Sequence, residues 1–285
     1  MKVLTYKMPT KIENGYIGSL FFSKMYSESV NLKDVHVVFN FTNTSWFEAN
    51  YVAVFSSIFE ILHFNGCKMS LENVNAKIEE VFLKNGFYEM YNLGSIEDTY
   101  NSTIPFKVFK TDDEEGFTRY LDEEVIPKIN LPLNKVQVKM FKKCLQEVFE
   151  NTRIHANSNR VYACGQYFYS KKKVAFTLVD LGKTIGENVR VKVNKELIDH
   201  DAIKWSTEFG NTTKPSKDGG IGLHFLKEQM YNNGILSIIS GNGYWEQDMK
   251  SVRTKKMLYN YGGTVVNIVS DLSKEVDSEV KEIWF

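Results

Sequence analysis

Three polar residues that could take part in chemistry recur at every fourth position of one segment near the middle of the chain. In LQEVFENTRIHA (145–156) they are Glu147, Asn151 and His155. Residues four apart lie on nearly the same face of an α-helix, and the apolar residues of this segment fall on a neighbouring face. The pattern predicts an amphipathic helix. Its polar stripe is either a solvent-exposed face or one wall of a binding site.

A carboxylate at the end of a predicted strand is the next candidate. In VDLGKTI (179–185), Asp180 ends an apolar strand-like run and Gly182 follows two residues later. A carboxylate at a strand end, beside a glycine that lets another group approach the backbone, suits recognition of a purine amino group. The simpler interpretation is a strand-to-turn Asp-x-Gly sequence, which is common in proteins.

A glycine-rich stretch opens a helical pattern further along the chain. GGIGL (219–223) is followed by HFLKEQMYNNG. Free amide groups and the dipole at a helix start attract phosphate, although glycines also serve tight turns. The stretch is not a dinucleotide-binding fingerprint, because no strand runs directly into it and the glycine spacing differs.

The elements that must position these residues divide the chain into two parts. In the first, hydrophobic patterning predicts a strand at 35–41, a helix over 46–62, a strand at 68–71 and a helix over 75–87. This alternation predicts a small α/β layer. Residues 91–111 carry polar and turn residues and are expected to form a linker.

The second part is predicted to be a two-layer α+β sandwich, with helices packed on one face of a mixed or antiparallel sheet. Its predicted helices cover 117–126, 134–156 and 219–234. Its predicted strands cover 161–170, 173–180, 235–240 and 264–270, the first two as an antiparallel hairpin.

Composition excludes several classes of protein. Among 285 residues, 35 lysines and arginines balance 35 aspartates and glutamates, so no electrostatic footprint of nucleic-acid binding is present. No apolar stretch approaches the roughly 20 residues that span a bilayer, and the N-terminus lacks the apolar region of a signal peptide. Cys67, Cys144 and Cys164 are scattered, as expected of free thiols in a reducing cytoplasm.

The order and combination of these motifs resembles the GHKL (histidine-kinase-like) ATPase superfamily, over residues 117–272. The fit extends through AIKWSTEFGNTTKPSKDGGIGL (202–223), which is similar to the lid of bacterial histidine-kinase-like and anti-sigma ATPases. Thr264 likewise follows Gly262 and Gly263, as in the last strand of that superfamily. The resemblance implies an ATP-binding domain of GHKL (Bergerat) type over 112–285, with ATP and Mg²⁺ as cofactors.

The resemblance also implies roles for individual residues. Glu147 would be the catalytic residue, a general base or a carboxylate that positions water for attack on the γ-phosphate. Asn151 would bind Mg²⁺, and Asp180 would accept a hydrogen bond from the adenine amino group, with Gly182 letting the base pack closely. The remaining nucleotide-binding residues would be Thr213, Lys214, Gly220, Gly222, Leu223 and Thr264.

Within that last group, Gly220 and Gly222 would present amides to the phosphates and Lys214 would be the lid cation. Thr264 would support Asp180 through a water. His155 would orient the neighbouring helix or lid, or else be a structural histidine. Thr184 occupies the place of a second glycine that the superfamily often has, which predicts a stiffer lid hinge.

Residues 1–100 bear a fainter resemblance to STAS domains, the fold of anti-sigma-factor antagonists. In such antagonists a serine or threonine at the loop after the strand is phosphorylated, and Thr44 and Ser45 stand there. Both are also good N-cap residues for the helix that follows. Trp46 and Phe47 are unusual at this loop in a plain antagonist.

Together these observations predict a cytoplasmic ATP-binding regulatory protein whose nucleotide state controls docking of a STAS-type or sigma-factor-related partner. Slow ATP hydrolysis and anti-sigma-type serine/threonine kinase activity both remain open, as does a homodimer. No phosphoacceptor-histidine helix precedes the ATPase-like part, so histidine autophosphorylation is not expected. The alternative is a non-catalytic protein-interaction module with a degenerate ATPase fold. Neither nucleic acid nor a membrane is an expected partner.

Overall fold

A computed structural model describes residues 2–129, 135–156, 158–193, 196–213 and 220–271. The fold mixes helices with three sheets, and its N-terminal and C-terminal parts follow one another along the chain. Within these ranges no helix combines the length and the apolar character needed to cross a membrane.

The N-terminal part, here called the N-terminal unit, is built on a three-stranded parallel sheet in the order β1-β3-β5. A two-stranded parallel pair, β2 with β4, lies beside it. Its elements are β1 (Val3–Lys7), β2 (Lys11–Ile12), α1 (Tyr16–Ser29), β3 (His36–Asn40), β4 (Trp46–Phe47), a 3₁₀ turn (Ala49–Tyr51), α2 (Val52–Phe64), β5 (Lys68–Glu72), α3 (Ala76–Lys84) and α4 (Phe87–Met90).

Most of the predicted elements of this unit are present, with different boundaries. The helix predicted from residue 46 begins at Val52, because Trp46 and Phe47 pair with β2 and a 3₁₀ turn follows. β1 and α1 were not predicted from the sequence. β1 has only five residues, of which none is fully buried, and α1 carries a glycine and four serines, so neither shows a strong hydrophobic period.

The C-terminal part contains a five-stranded sheet in the order β6-β7-β8-β10-β9, with every neighbouring pair antiparallel. Its strands are β6 (Thr103–Lys110), β7 (Arg160–Phe168), β8 (Lys173–Asp180), β9 (Gly234–Gln247) and β10 (Val252–Asp271). Its helices are α5 (Glu114–Tyr120), a π-helical segment (Leu121–Val125), α6 (Ile126–Ile129), α7 (Lys135–Asn151), a second π-helical segment (Thr152–Ala156), α8 (Ile185–Val193), α9 (Asp199–Ser206) and α10 (Gly222–Tyr231).

The predicted hairpin is confirmed, since β7 and β8 pair antiparallel across a short 3₁₀ turn. The prediction that residues 91–111 form a linker is wrong for their second half. There, β6 pairs with β7 at the edge of the sheet, because TIPFKVFK turns alternate side chains toward the core.

The two faces of the five-stranded sheet have different cover. Leu178 and Val266 face a core that includes α5, α7 and α10, whereas Val179 and Val265 face the core of the N-terminal unit. The helices of the C-terminal part therefore lie on one face, as predicted. The opposite face is covered by the N-terminal unit through α1 and α2.

A buried polar cluster joins the N-terminal unit to the sheet. The side-chain amide nitrogen of Asn50 lies 2.8 Å from the hydroxyl oxygen of Thr177, 2.9 Å from the amide oxygen of Asn267 and 2.8 Å from that of Asn14. The Thr177 hydroxyl also donates to the Asn267 amide oxygen over 2.8 Å. Asn50 and its two sheet partners are buried, so these bonds fix the register of the two parts away from water.

Candidate functional site

A cleft opens on the helix-covered side of the sheet, where β8 and β10 meet α7, α8, α9 and the start of α10. The space inside it, open solvent at its mouth included, is about 840 Å³. Most of the predicted site residues line this one cleft, although they come from segments far apart in the sequence. They are Glu147, Asn151, Asp180, Thr213, Gly220, Gly222, Leu223 and Thr264.

Asp180 is buried at the end of β8, with 4% of its surface exposed. One carboxylate oxygen accepts a hydrogen bond from the backbone N–H of Gly182 over 2.9 Å. Burial raises the pKa of Asp180 from 3.8 to about 7, and backbone hydrogen bonds from Gly182 and Thr264 partly oppose that rise. The result is a desolvated hydrogen-bond acceptor, ionised only near neutral pH and above.

Gly182 does not line the cleft; it borders an adjoining polar pocket on the other side of the turn. A β-carbon at this position would collide with the backbone carbonyl of Ala156. The backbone N–H of Lys183 donates to that same carbonyl over 2.5 Å. The bare Cα of Gly182 therefore lets the turn after β8 pack on the end of the second π-helical segment, which differs from the expected contact with a bound base.

Glu147 and Asn151 lie on α7 and both reach the cleft, half-buried. α10 starts directly against Glu147, since a β-carbon on Gly222 would collide with its carboxylate. Within the described residues, neither side chain has a hydrogen-bond partner. Both polar groups are therefore available to a ligand.

The polar stripe predicted at every fourth residue continues only as far as Asn151. The chain then widens into the π-helical segment Thr152–Ala156, so His155 does not continue the α-helical register of Glu147 and Asn151. The side chain of His155 lies outside the described part of the chain. π-Helical insertions are often found beside functional sites, and this one carries the Ala156 carbonyl that holds Lys183.

The start of α10 forms the far wall of the cleft. Gly220 adopts a positive φ of 81°, and a β-carbon there would collide with the backbone of Asn211. The backbone N–H of Gly210 donates to the Gly220 carbonyl over 3.3 Å, so both ends of the segment 211–219 meet here. Thr213 lines the cleft, whereas Lys214 and the rest of 214–219 lie outside the described residues.

Thr264 lies opposite Asp180 in the ladder between β10 and β8. Its side-chain hydroxyl is 3.1 Å from that of Ser240, whose hydroxyl donates to the Gly263 carbonyl over 2.9 Å. Ser240 also accepts the backbone N–H of Ile185 over 2.9 Å, which ties α8 to β9 and β10. The backbone N–H of Thr264 lowers the pKa of Asp180, and support of Asp180 by the Thr264 hydroxyl through a water stays a prediction.

Thr184 has a structural role that its mismatch with the superfamily pattern did not suggest. Its hydroxyl and backbone N–H both donate to the Glu187 carboxylate, over 2.8 and 2.6 Å, and the Glu187 N–H donates to the Thr184 hydroxyl over 3.2 Å. These reciprocal bonds are a capping box at the start of α8. The residue after Lys183 therefore begins a helix, and its hydroxyl supplies the cap.

Among the other side chains that line the cleft, Lys183 and Trp205 are the largest that were not predicted site residues. Lys183 is exposed at the cleft rim, next to the turn that follows Asp180, and Trp205 on α9 forms part of the wall. A lysine one residue beyond the Asp-x-Gly turn was a usable signal. Trp205 was not, because only the folding of α9 against β9 brings it to the cleft.

The loop expected to carry a phosphoacceptor or a helix cap does not cap the helix that follows it. The 3₁₀ turn after it is preceded by Glu48 and α2 by Tyr51, without side-chain caps, so the capping interpretation of Thr44 and Ser45 is wrong. Thr44 is buried, with 3% of its surface exposed. Ser45 is exposed and donates its hydroxyl to the Thr10 carbonyl over 3.0 Å.

The described residues contain no cluster of three or more histidine, cysteine or acidic side chains that could hold a metal ion by themselves. Their three cysteines are free and buried, as predicted. Compared with known proteins, the sequence matches no protein-family model, and no curated protein sequence matches it.

Proposed function

We propose that the protein binds an adenine nucleotide with Mg²⁺ in this cleft and belongs to the GHKL type of ATP-binding regulatory proteins. The observation that carries the proposal is the convergence of segments around residues 147–151, 180, 211–213, 220–223 and 264 on one cleft. A chance set of polar surface residues would have no reason to converge in this way. The antiparallel five-stranded sheet with helices on one face is also consistent with this fold type.

The base would lie at the Asp180 end of the cleft. Asp180 offers a buried acceptor for an exocyclic amino group, and Leu178, Ile185, Val189 and Val266 supply apolar walls for a planar ring. A ligand N–H donor at Asp180 would offset part of the cost of burying that carboxylate. This accounts for an acidic group that the fold leaves with only backbone donors.

The phosphates would lie at the start of α10. This helix has ten residues, and among the described residues no side chain caps its N-terminus. Its first backbone N–H groups are therefore available to an anion, and the helix dipole favours negative charge there. Lys183, at the cleft rim, adds a cation that can approach the same ligand.

Asn151 would hold the metal, and Glu147 would act on the reacting group. Mg²⁺ prefers oxygen ligands and usually takes one or two from protein and the rest from water and phosphates, so a single amide oxygen with no cluster of acids fits. Bound Mg²⁺ would neutralise charge on the phosphates. Glu147 has no proposed contact with the bound nucleotide and would accept a proton from, or position, the attacking group.

The regulatory part of the proposal rests on the N-terminal unit. Its parallel sheet and flanking helices are compatible with a STAS-like fold, and it covers the face of the sheet opposite the cleft. A regulatory protein partner of STAS or sigma-factor-related type would dock on the protein. The nucleotide bound beside the segment 211–219 would control that docking. Water or a serine or threonine side chain would receive the γ-phosphate. Appearance of labelled γ-phosphate on protein distinguishes these two acceptors.

Calorimetric titration with MgATP tests the proposal. Wild type should bind, and Asp180→Asn should lose about 1–3 kcal/mol of binding free energy, because a charge-assisted hydrogen bond becomes a neutral one in a desolvated site. Asp112→Asn is the matched control, since Asp112 is exposed and away from the cleft, and it should bind as wild type does. No binding by wild type, or equal binding by all three proteins, would contradict the proposal.

A further inference from the structure

The C-terminal end of α1 contacts a segment of β10 whose pairing with β9 is irregular. The ladder between β10 and β9 shifts register between Lys256 and Tyr261 and again between Tyr261 and Thr264. At this place the Ser27 hydroxyl of α1 donates to the Asn260 carbonyl over 2.7 Å. The Tyr26 ring of α1 also packs on the Tyr261 ring, with 4.7 Å between ring centres.

The same segment leads directly to the Asp180 carboxylate. Thr264, which pairs with Asp180 across the sheet, gives its backbone hydrogen bond to that carboxylate. Gly263 has a φ of 118°, and a β-carbon there would collide with the Asp180 carbonyl. A displacement of this segment would therefore move a hydrogen-bond donor of Asp180.

Tyr26 is the side chain that seats the segment. A β-carbon on Gly262 would collide with the Tyr26 hydroxyl, so the hydroxyl rests directly on the Gly262 backbone. Burial raises the pKa of Tyr26, the charges of Asp180 and Glu187 raise it further, and a hydrogen bond with the Gly262 backbone opposes them. The hydroxyl is thus protonated at neutral pH and lies within the field of Asp180.

We propose that Tyr26 is a positioning residue for base recognition: its ring and hydroxyl hold Gly262 and Thr264 in place and so orient the Asp180 carboxylate toward the ligand. The inference rests on the proposed function, because it takes Asp180 as the acceptor of the adenine amino group. It also connects the N-terminal unit to the cleft. A partner that displaced α1 would change recognition of the base without touching the nucleotide.

Two nucleotides separate this role from a merely structural one. ATP carries the amino group that Asp180 would accept, and purine riboside triphosphate lacks it while keeping the ring, sugar and phosphates. Tyr26→Phe removes only the hydroxyl and keeps the ring on Tyr261. It should weaken MgATP binding by about threefold to tenfold, the range of one lost hydrogen bond, and change binding of the analogue by less than about twofold.

Tyr16→Phe is the matched control, because Tyr16 also lies on α1 but packs on Tyr244, in β9. It should leave the preference for ATP unchanged. Ser27→Ala, which removes the second attachment of α1 to the segment, should shift the preference in the same direction as Tyr26→Phe. Thermal unfolding of each variant without nucleotide shows that the compared proteins are folded.

If Tyr26→Phe weakened the binding of both nucleotides equally, or of neither, the positioning role would be overturned. A preference of wild type for ATP would still support the proposed function in that case. If wild type bound neither nucleotide, or bound both equally, the proposed function would fail and this inference with it.

Discussion

The two faces of the five-stranded sheet bury polar groups in opposite ways. Toward the N-terminal unit, Asn50, Thr177 and Asn267 bond to one another and leave none of their side-chain donors and acceptors without a partner. Toward the cleft, Asp180 is comparably buried, yet within the described part of the chain only backbone N–H groups meet its charge. The first arrangement specifies how two parts of the chain dock, and the second is kept at a cost to stability because the proposed ligand needs it.

The largest effect is expected from Glu147, whose side chain has no hydrogen-bond partner among the described residues. Glu147→Gln keeps the shape that packs on Gly222 and removes the basic carboxylate. If Glu147 positions or deprotonates the attacking group, turnover of MgATP should fall by about 10²–10⁴-fold while affinity stays near that of wild type. Asn151→Ala should lose both affinity and turnover. Equal loss of affinity in the two variants would contradict this division of roles.

The next largest effect is expected on stability, from removing one member of the buried polar cluster formed by Asn50, Thr177 and Asn267. Asn50→Ala leaves Asn267 and Thr177 with unmet hydrogen bonds in a buried position, so it should destabilise the protein by about 2–4 kcal/mol. Denaturant unfolding measures the loss, with Asn43→Ala as the control because Asn43 is exposed. A loss no greater than that of the control would show that the cluster does not hold the two parts together.

Without nucleotide, Asp180→Asn should stabilise the protein, whereas Asn50→Ala should destabilise it. The pKa of Asp180 is raised from 3.8 to about 7 on folding, so the folded protein binds this proton more tightly than the unfolded chain does. The contribution of the carboxyl to stability therefore falls as pH rises through that window. Asparagine has no such proton, and the variant should gain about 1–3 kcal/mol on wild type between about pH 4 and pH 8.

Unfolding by denaturant at several pH values, without nucleotide, measures this gain. A difference between Asp180→Asn and wild type that stayed constant across the range would mean that Asp180 is not held at a cost. Together with weaker ATP binding by the same variant, a rising difference would place stability and recognition in opposition at one residue.

The smallest effect belongs to the capping box beside the cleft. Thr184→Ala removes the hydroxyl that bonds Glu187 and should cost about 1 kcal/mol, whereas Thr184→Ser should cost much less. Hydrogen exchange of the amides in α8 checks whether the loss is local. If Thr184→Ala instead left α8 fully protected, the cap would not be what begins this helix.

Sequence patterning predicted the parts of this fold that have a strong period. The β7–β8 hairpin was predicted from the alternation of apolar and polar residues, and the helix that follows GGIGL from the helical spacing of its apolar residues. β6 was missed because its alternating stretch is short and turn residues flank it. β1 and α1 carry little hydrophobic period of their own. They are stabilised by packing against β3 and the five-stranded sheet, which patterning within one segment cannot reveal.

For the candidate site, the sequence predicted the cleft residues that belong to a motif. It did not predict residues that reach the cleft or its surroundings only through tertiary contacts. Glu147, Asn151 and Asp180 line one cleft as their motifs predicted. The role of Gly182 beside a base stays a prediction, and in the fold its bare Cα lies against the Ala156 carbonyl. Tyr26 could not have been found, because its importance depends on α1 lying against an irregular segment of β10 more than 200 positions away.

A structure determined with a non-hydrolysable ATP analogue and Mg²⁺ tests the central proposal most directly. The account predicts density for the base against Asp180, for the phosphates at the start of α10 near Gly220 and Gly222, and for a metal at the Asn151 amide oxygen. Density for the nucleotide at another surface, or an empty cleft at a saturating concentration of the analogue, would contradict it.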